Sequence, residues 1–211
     1  MLPALRLEVE GLALKRGGVT IFSGVSFRAG PGEYVEISGA NGSGKTSLLR
    51  ALAGFSRPAE GRVSLSSNLG PLDDDQRANV THLLGHQDGL KPSLDARDHA
   101  RFWQGLFGGR DAMAVLAQAG LGRLADRPAR TLSAGQKRRL ALTRLLIAPR
   151  PVWLLDEPGA ALDVAGRAWL LGIVGDHLGD GGIVIAAVHD ALGAAATVRV
   201  ALDARAPERA G

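Results

Sequence analysis

The 211-residue sequence contains no cysteine, which excludes disulfides, thiolate metal sites and cysteine nucleophiles from this chain. It also contains no apolar run near the roughly 20 residues that a membrane-spanning helix needs. The N-terminus has acidic residues among its apolar ones and lacks the apolar core and cleavage site of a secretory signal peptide. We therefore predict a protein that stays in the cytoplasm and is not embedded in a membrane.

Lysine and aromatic residues are scarce: four of the 25 basic residues are lysine, and aromatic residues make up 4% of the chain. The hydrophobic share of 45% and the charged share of 22% are those of a globular protein, not of a disordered chain or a coiled coil. The length favours a single large domain, or one core with a subdomain. The net charge of +4 leaves room for an anionic partner. The excess of arginine indicates an arginine-preferring genome rather than a nucleic-acid site.

The first half of the chain alternates strand patterns with glycine-rich turns. Residues 5–27 predict short strands interrupted by glycines, and residues 34–38 predict a strand that ends in a glycine-rich turn. An apolar-periodic helix is predicted over residues 46–53. Residues 57–79 are polar and predict an irregular surface segment, with a solvated acidic run at 73–75. A strand, a glycine-rich turn and a helix in this order are typical of an α/β fold.

The second half predicts helices first and buried strands after them. Helical patterns cover residues 93–122 and 134–148, and a further helical stretch covers residues 166–178. Two unbroken apolar runs, 152–155 and 183–188, flank that last helix. Such runs are typical of parallel strands that are buried on both faces.

The segment from Gly39 to Thr46 fits the phosphate-binding pattern G-x-x-x-x-G-K-[ST] between a predicted strand and a predicted helix. Its glycines let backbone N–H groups converge on phosphate oxygens, and the helix N-terminus adds a partial positive charge. Lys45 is expected to reach the β- and γ-phosphates, and the Thr46 hydroxyl to ligate Mg²⁺. The predicted nucleotide-binding residues are Gly39, Ala40, Asn41, Gly42, Ser43, Gly44, Lys45 and Thr46.

Two acidic residues, Asp156 and Glu157, end the apolar run that begins at Val152. An aspartate at the end of a buried strand beside a P-loop can hold Mg²⁺ directly or through water. The following glutamate is then placed to orient and deprotonate an attacking water. By itself the pattern also fits a strand followed by a solvated acidic turn. The P-loop upstream favours a metal ligand at Asp156 and a catalytic base at Glu157.

The segment Leu132–Gln136, with the sequence LSAGQ, opens a predicted helix and by itself fits an ordinary serine N-cap. With the P-loop before it and Asp-Glu-Pro after it, however, the sequence resembles the ATPase subunits of ABC transporters over nearly its whole length. The resemblance identifies LSAGQ as the signature of that family, which contacts the γ-phosphate bound to the opposite subunit. The contacting residues would be Ser133, Gly135 and Gln136.

A serine, a glycine amide and a helix N-terminus together form a sensible anion site. Because the family signature faces away from its own P-loop, the resemblance implies an ATP-dependent homodimer that holds two ATP molecules with twofold symmetry. It also implies roles for three more residues. Gln87 would sense Mg²⁺ and the γ-phosphate, Asp163 would lie in a loop that crosses the dimer interface, and His189 would bond the γ-phosphate.

The resemblance also implies the architecture of a P-loop NTPase with a RecA-like core, an N-terminal antiparallel β subdomain and an inserted α-helical subdomain. We predict one domain over residues 1–211, with its core at about 1–91 and 149–203. The helical insert is predicted at about 92–148. The tail after Asp203 is expected to be frayed.

One feature departs from the family pattern. The family usually carries an aromatic residue about 25 residues before the P-loop lysine, which stacks on adenine, whereas this chain has Lys15, Arg16 and two glycines there. Arg16 could stack its guanidinium plane on the base or could simply be exposed. The resemblance implies that the bound nucleotide is ATP rather than GTP. It also implies that Mg²⁺ is bound with the nucleotide.

The motifs for hydrolysis are shared by transporters and by ABC proteins that act on DNA or ribosomes. The DNA-repair relatives carry long coiled-coil or zinc insertions and the translation factors carry two ATPase domains, and this sequence has neither. The sequence therefore favours a transporter subunit that docks near Gln87 and the helical insert on a separate transmembrane partner. Through that partner it would be peripheral to the cytoplasmic side of the inner membrane.

Within the family, the sequence is most similar to the ATP-binding subunits of cytochrome c maturation complexes, the haem-exporter type. The similarity lies in the minimal length, in residues 85–91 around Gln87, in residues 132–139 and in the polar Glu36 of the strand before the P-loop. It implies that hydrolysis drives haem export or the release of a haem-loaded periplasmic chaperone. An ATPase of another small exporter or importer is the alternative.

Overall fold

The computed structural model describes residues 2–202, which form two sheets and six α-helices. The first sheet is antiparallel, with the strand order β2-β1-β4-β5. Its strands are β1 (Arg6–Arg16), β2 (Val19–Ala29), β4 (Glu60–Ser67) and β5 (Gly70–Pro71). Its apolar residues share one core with the parallel sheet and with the helix after the P-loop.

The second sheet is parallel, with the strand order β6-β7-β8-β3-β9. Its strands are β3 (Tyr34–Gly39), β6 (Thr81–Leu84), β7 (Val152–Asp156), β8 (Ile183–Ala187) and β9 (Val198–Leu202). Every residue of β7 and β8 is buried, because helices or the first sheet cover both faces. The sequence prediction of parallel, fully buried strands at these two runs is confirmed.

Six helices surround the parallel sheet or stand beside it. They are α1 (Lys45–Leu52), α2 (Asp74–Val80), α3 (Ala96–Phe107), α4 (Ala112–Gln118), α5 (Ala134–Ile147) and α6 (Val164–Gly179). Within the described part of the chain, none of them is both long and apolar enough to cross a membrane.

The helices α3, α4 and α5 pack around an apolar cluster of their own, which includes Trp103, Leu116 and Leu140. Other residues of α5, such as Leu142 and Leu145, belong instead to the core on the α6 side of the parallel sheet. The predicted α/β fold with an antiparallel subdomain and a helical subdomain is confirmed. Residues of α5 belong to both cores, so the cores do not mark the end of the helical insert. The insert boundary predicted near residue 148 stays a prediction.

The prediction of an irregular segment over residues 57–79 was wrong, because the segment contains β4 and α2. The acidic run is not a plain solvated loop either. Asp73 is the N-cap of α2: its carboxylate accepts a bond of 2.8 Å from the Gln76 N–H, and the Gln76 side chain accepts one of 3.0 Å from the Asp73 N–H. This reciprocal capping box lets a short polar helix form.

The prediction of short strands over residues 5–27 was also wrong, because β1 and β2 are 11 residues each. Gly11 and Gly24 have positive φ angles of 55° and 71°, and the pairing register shifts near them. The glycines therefore bulge the strands without ending them. The tail after Asp203 lies outside the described residues.

Candidate functional site

Three segments that carry predicted site residues follow neighbouring parallel strands. The P-loop follows β3, Glu157 follows β7 and His189 comes two residues after β8. In the sheet, β8 lies between β7 and β3, and Ala187 pairs with both Asp156 and Ile37. Because the carboxyl ends of parallel strands meet at one edge, the fold collects these residues there.

The P-loop turn depends on glycine at its two ends. Gly39 has a φ of 147°, and a Cβ atom there would lie 2.4 Å from the Leu202 carbonyl oxygen. At Gly44, with a φ of 100°, a Cβ atom would lie 2.7 Å from Cγ2 of Ile21. Gly44 is also the N-cap of α1, and in the described part of the chain no side chain caps that end. The first N–H groups of α1 therefore point at the loop without a side-chain acceptor, as an anion site requires.

Lys45 opens α1 and is buried, with 7% of its surface exposed. Its Nζ atom donates hydrogen bonds to the carbonyl oxygens of Gly39 at 2.7 Å and of Ala40 at 3.2 Å. The ammonium thus lies folded against the turn that it is predicted to close over phosphate. Its charge therefore lies inside the loop.

Thr46 and Asp156, the predicted Mg²⁺ ligands, lie in direct contact. The Thr46 hydroxyl donates a hydrogen bond of 2.8 Å to Oδ2 of Asp156, which is buried. A hydroxyl and a carboxylate are ligands that Mg²⁺ accepts. Nearby in sequence, the Ser43 Oγ atom is buried and has no hydrogen-bond partner among residues 2–202. The residues present therefore fit a bound Mg²⁺–nucleotide.

Glu157 follows Asp156 in a left-handed conformation, with a φ of 46°. Its N–H donates to the Ala187 carbonyl at 2.9 Å, which fixes this residue against β8. Glu157 and His189 line the same cavity of about 230 Å³. The His189 side chain is 65% exposed, and its Nδ1 atom lies 3.6 Å from the Asp190 carboxylate. The structure therefore brings the predicted base and the predicted γ-phosphate contact together.

Gln87 does not line that cavity. It is exposed in the segment after β6 and lines a different cavity, of about 540 Å³, with Lys137 and Arg130 among the other lining residues. The preceding strand, β6, lies next to β7 at the edge of the sheet. The predicted part of Gln87 in holding Mg²⁺ stays a prediction.

Ser133 caps α5 through a reciprocal pair of hydrogen bonds with Gln136. The Ser133 Oγ atom accepts from the Gln136 N–H at 3.2 Å, and the Gln136 side chain accepts from the Ser133 N–H at 2.9 Å. Gly135 lies so close to the next loop that a Cβ atom would be 2.8 Å from the Ala161 oxygen. Within residues 2–202, no hydrogen bond joins these signature residues to Lys45 or to the rest of the P-loop.

Asp163 is the N-cap of α6, and its Oδ1 atom accepts from the Gly166 N–H at 2.7 Å. Its Oδ2 atom lies 3.5 Å from Nη2 of Arg139 on α5. The loop before α6 therefore rests against the signature helix. Asp163 itself is exposed, as a residue at an interface between subunits would be. Arg16, at the end of β1, is exposed as well.

Sequence reasoning missed Arg138, which bonds to the segments that contain Glu157 and Gln87. A signal was present in the sequence. Arg138 lies four and seven residues before Leu142 and Leu145, so helical spacing places it on their buried side of α5.

A family model described as ABC transporter matches residues 22–160. The chain is 46% identical, over 90% of its length and 94% of the relative, to a protein of Rhodopseudomonas palustris named cytochrome c biogenesis ATP-binding export protein CcmA. Proteins with that name from Bradyrhizobium diazoefficiens and Ruegeria pomeroyi are 49% and 45% identical over 90% and 92% of this chain, covering 94% and 90% of theirs.

Solved structures agree on the fold. An ATP-binding protein of an ABC transporter from Pyrococcus furiosus, described as putative, superposes with a TM-score of 0.78 at 21% identity, covering 93% of this chain and 97% of its own. An ATP-binding cassette solved as a dimer in a post-hydrolysis state, bound to ADP and phosphate, superposes with a TM-score of 0.75 at 24% identity. That match covers 96% of this chain and 97% of the other.

Proposed function

Because the chain belongs to the ABC transporter family as one of its ATP-binding subunits, we propose that it powers a membrane complex for cytochrome c biogenesis. The observation that carries the proposal is the agreement of relatives 45–49% identical over at least nine-tenths of this chain, all named for that process. Hydrolysis of ATP would drive haem export or the release of a haem-loaded chaperone on the far side of the membrane.

In the proposed mechanism, the N–H groups at the start of α1 and the Lys45 ammonium bind the phosphates. Lys45 would exchange its two carbonyl partners for phosphate oxygens, which are stronger acceptors because they are charged. Thr46 and Asp156, with Gln87, would hold Mg²⁺, which neutralises charge on the β- and γ-phosphates when bound.

Glu157 would orient a water on the γ-phosphorus and take its proton. The oxygen of that water forms the new bond to phosphorus, while the bond from phosphorus to the bridging oxygen breaks and the electron pair leaves with ADP. His189, which lines the same cavity, would donate a hydrogen bond to the γ-phosphate. Proton transfer by a positioned carboxylate contributes typically about 10²–10⁴-fold to a rate.

We further propose an ATP-dependent homodimer. Within the described residues, Ser133 and Gly135 have no bond to their own P-loop, so a nucleotide contact from them would reach the partner's site. Ser133 stands at an exposed helix N-terminus, which favours an anion. A twofold-symmetric pair would satisfy both signatures at once.

The transmembrane partner is proposed to dock in a cavity of about 360 Å³ at the far end of α1. Exposed aromatic rings line it, with Phe55 68% and Phe107 42% exposed, and Arg150 lies 4.9 Å over the Phe107 ring. With Arg144 also lining the cavity, the surface suits a segment with apolar and acidic side chains. The cavity also touches β6, which leads to Gln87, so a docked segment could act on the nucleotide site.

The test is a strain whose only copy carries Lys45→Ala. Covalent c-type cytochromes should disappear from haem-stained gels, while haem-loaded chaperone persists in the membrane fraction. Arg62→Ala is the control, because Arg62 forms a surface ion pair with Glu10 on the antiparallel sheet, worth about 1 kcal/mol or less. Normal holocytochrome levels in a strain that stably expresses Lys45→Ala would contradict the cytochrome role and leave a generic transporter ATPase.

A second experiment tests where the transmembrane partner docks. Phe55→Asp should release the chain from the cytoplasmic face of the inner membrane, since a carboxylate replaces the exposed ring in the docking cavity. Leu69→Asp is its control, because Leu69 is 93% exposed and lies outside that cavity. Equal recovery of both variants in the membrane fraction would argue against docking at this cavity.

A further inference from the structure

Arg138 has every N–H group of its side chain hydrogen-bonded, and it contacts Asp156 and Glu157 at their backbone carbonyls. It lies on α5, five residues after Ser133, and only 3% of its surface is exposed. Its guanidinium has five N–H groups, and the structure gives it five hydrogen bonds. Their acceptors are the oxygens of Pro158 (3.3 Å), Gly85 (3.0 Å), Asp88 (3.0 Å, carboxylate), Asp156 (2.6 Å) and Glu157 (2.8 Å).

Three of these bonds hold consecutive carbonyl groups at the end of β7 and just after it, those of Asp156, Glu157 and Pro158. The middle residue is the one with a φ of 46°. A residue with a Cβ atom is strained in that region and stays there only when its surroundings hold it. Arg138 supplies that support from one side and the Ala187 carbonyl from the other.

The other two bonds reach the segment that contains Gln87. Nη1 of Arg138 donates to the Gly85 carbonyl and to the Asp88 carboxylate, on either side of Gln87. Asp88 neutralises the arginine, which matters because a buried unpaired charge is costly. One planar group thus connects the segment of the predicted base with the segment of the predicted Mg²⁺ sensor.

We infer that Arg138 is a positioning residue for ATP hydrolysis: it fixes the backbone of Glu157 so that the carboxylate meets the attacking water, and it holds the Gln87 segment in register with it. This inference rests on the proposed role of Glu157 as base. Arg138 needs its fork of donors for this, because a single ammonium cannot reach five acceptors in one plane.

The test compares Arg138→Met and Arg138→Lys in purified protein. In Arg138→Met, kcat should fall about 10²-fold, the lower end of what a positioned base contributes. The Kd for ATP should stay unchanged, because Arg138 bonds no P-loop residue within residues 2–202 and bonds Asp156 at its carbonyl, not at the carboxylate that bonds Thr46. Arg138→Lys keeps the charge and part of the donor set, so its kcat should lie between those of the wild type and Arg138→Met. If Arg138→Met does not fold, the kcat and Kd of Arg138→Lys provide the test instead.

A double variant separates positioning from general loss of structure. If Arg138 acts through Glu157, adding Arg138→Met to Glu157→Gln should cause no further loss of kcat, because the two residues act as one unit. Arg97→Met is the matched control and should keep wild-type kcat. Arg97 is partly buried and bonds Asp126 at 2.7 Å, away from the site.

Three results would overturn the inference: wild-type kcat in folded Arg138→Met, an equal loss in ATP affinity, or a multiplicative loss in the double variant. The single Glu157→Gln variant keeps this failure distinct from failure of the proposed mechanism. Full turnover by Glu157→Gln would remove the role of Glu157, and the inference with it. An inactive Glu157→Gln beside a fully active Arg138→Met would remove only the role of Arg138.

Discussion

Thr46 and Asp156 are 110 positions apart in the chain and share a hydrogen bond of 2.8 Å. Their contact follows from the sheet: Asp156 ends β7, the P-loop carries the chain from the end of β3 to Thr46 in α1, and β8 lies between the two strands. At the scale of single residues, the site is thus assembled by strand order. Each side chain then has its own role in binding or catalysis, and point mutations can distinguish these roles.

Lys45→Ala should weaken ATP binding, whereas Glu157→Gln should bind ATP normally and stop turnover. The lysine charge acts already on bound ATP, so its loss should raise the Kd roughly 10- to 100-fold, as removing a charged hydrogen bond does. The glutamate acts mainly on the attacking water, so its loss should lower kcat by about 10²-fold or more. Equilibrium binding and phosphate release measure both. Near-normal steady-state hydrolysis by Glu157→Gln would contradict its assignment as base.

At the scale of elements, the short link between α5 and β7 is held by histidines from two sides. Nε2 of His82, on β6, bonds the Ala148 carbonyl at 2.5 Å, and Nε2 of His177, on α6, bonds the Pro151 carbonyl at 3.2 Å. The His177 ring also stacks on Trp153, with ring centroids 3.7 Å apart. Because both acceptors are carbonyls, each Nε2 carries the proton, and both rings are buried.

Stability should therefore fall in acid. Burial lowers the pKa of His82 to about 3 and that of His177 to about 4, with Arg144 and Arg150 adding to the effect at His82. Unfolded histidine has a pKa of about 6.5, so below that pH the unfolded chain binds protons that the folded chain refuses. Each histidine should cost roughly 1 kcal/mol of unfolding free energy at pH 5.5, and the loss should grow down to about pH 4.

Urea unfolding between pH 7.5 and pH 5 measures this loss. His177→Phe keeps the ring on Trp153 but cannot titrate, so its stability should depend less on pH than that of the wild type. It should be less stable at pH 7.5, because the Pro151 carbonyl loses its donor. An unchanged pH dependence in His177→Phe would show that His177 is not a source of the acid sensitivity.

The elements also show what the sequence can and cannot predict. The buried runs that form β7 and β8 were predicted to within one residue at each end, because strands covered on both faces are apolar throughout. The strand β4 was missed, because only one of its eight residues is fully buried and it reads as polar. The strands β6 and β9 are the edges of the parallel sheet; β6 has only four residues and only two of the five in β9 are buried, so neither gives an unbroken apolar run.

The candidate site also contains residues that the sequence predicted and one that it did not. The P-loop was predicted from the sequence, because phosphate binding needs glycines and a lysine at fixed spacing. Arg138 was not, because it stands between Lys137 and Arg139 in a run of basic residues that reads as a solvated face. Its helical spacing from Leu142 and Leu145 indicates the buried side of α5, but only the fold shows what its guanidinium bonds. Its acceptors come from segments about 20 and 50 positions away, a pairing that no local pattern reveals.

At the scale of the whole molecule, we expect the isolated chain to be monomeric without nucleotide and Glu157→Gln to dimerise with ATP. The γ-phosphate would be gripped by Ser133 and Gly135 of the facing copy, so ATP would form part of the interface. ADP lacks that phosphate and should not support the dimer. Light scattering with each nucleotide measures this. Ser133→Arg in the same background should stay monomeric, and a dimer of equal strength in ADP and ATP would contradict closure by ATP.

The helix α5 leaves almost no room for neutral drift. Its first turn carries the signature, Arg138 is enclosed by five acceptors, and Leu140 and Leu142 pack into two different cores. A mutation on most faces of this helix therefore meets one of these demands. In a library of single substitutions, α5 should be the stretch where the fewest variants survive, and insertions that rotate it by one residue should not survive at all.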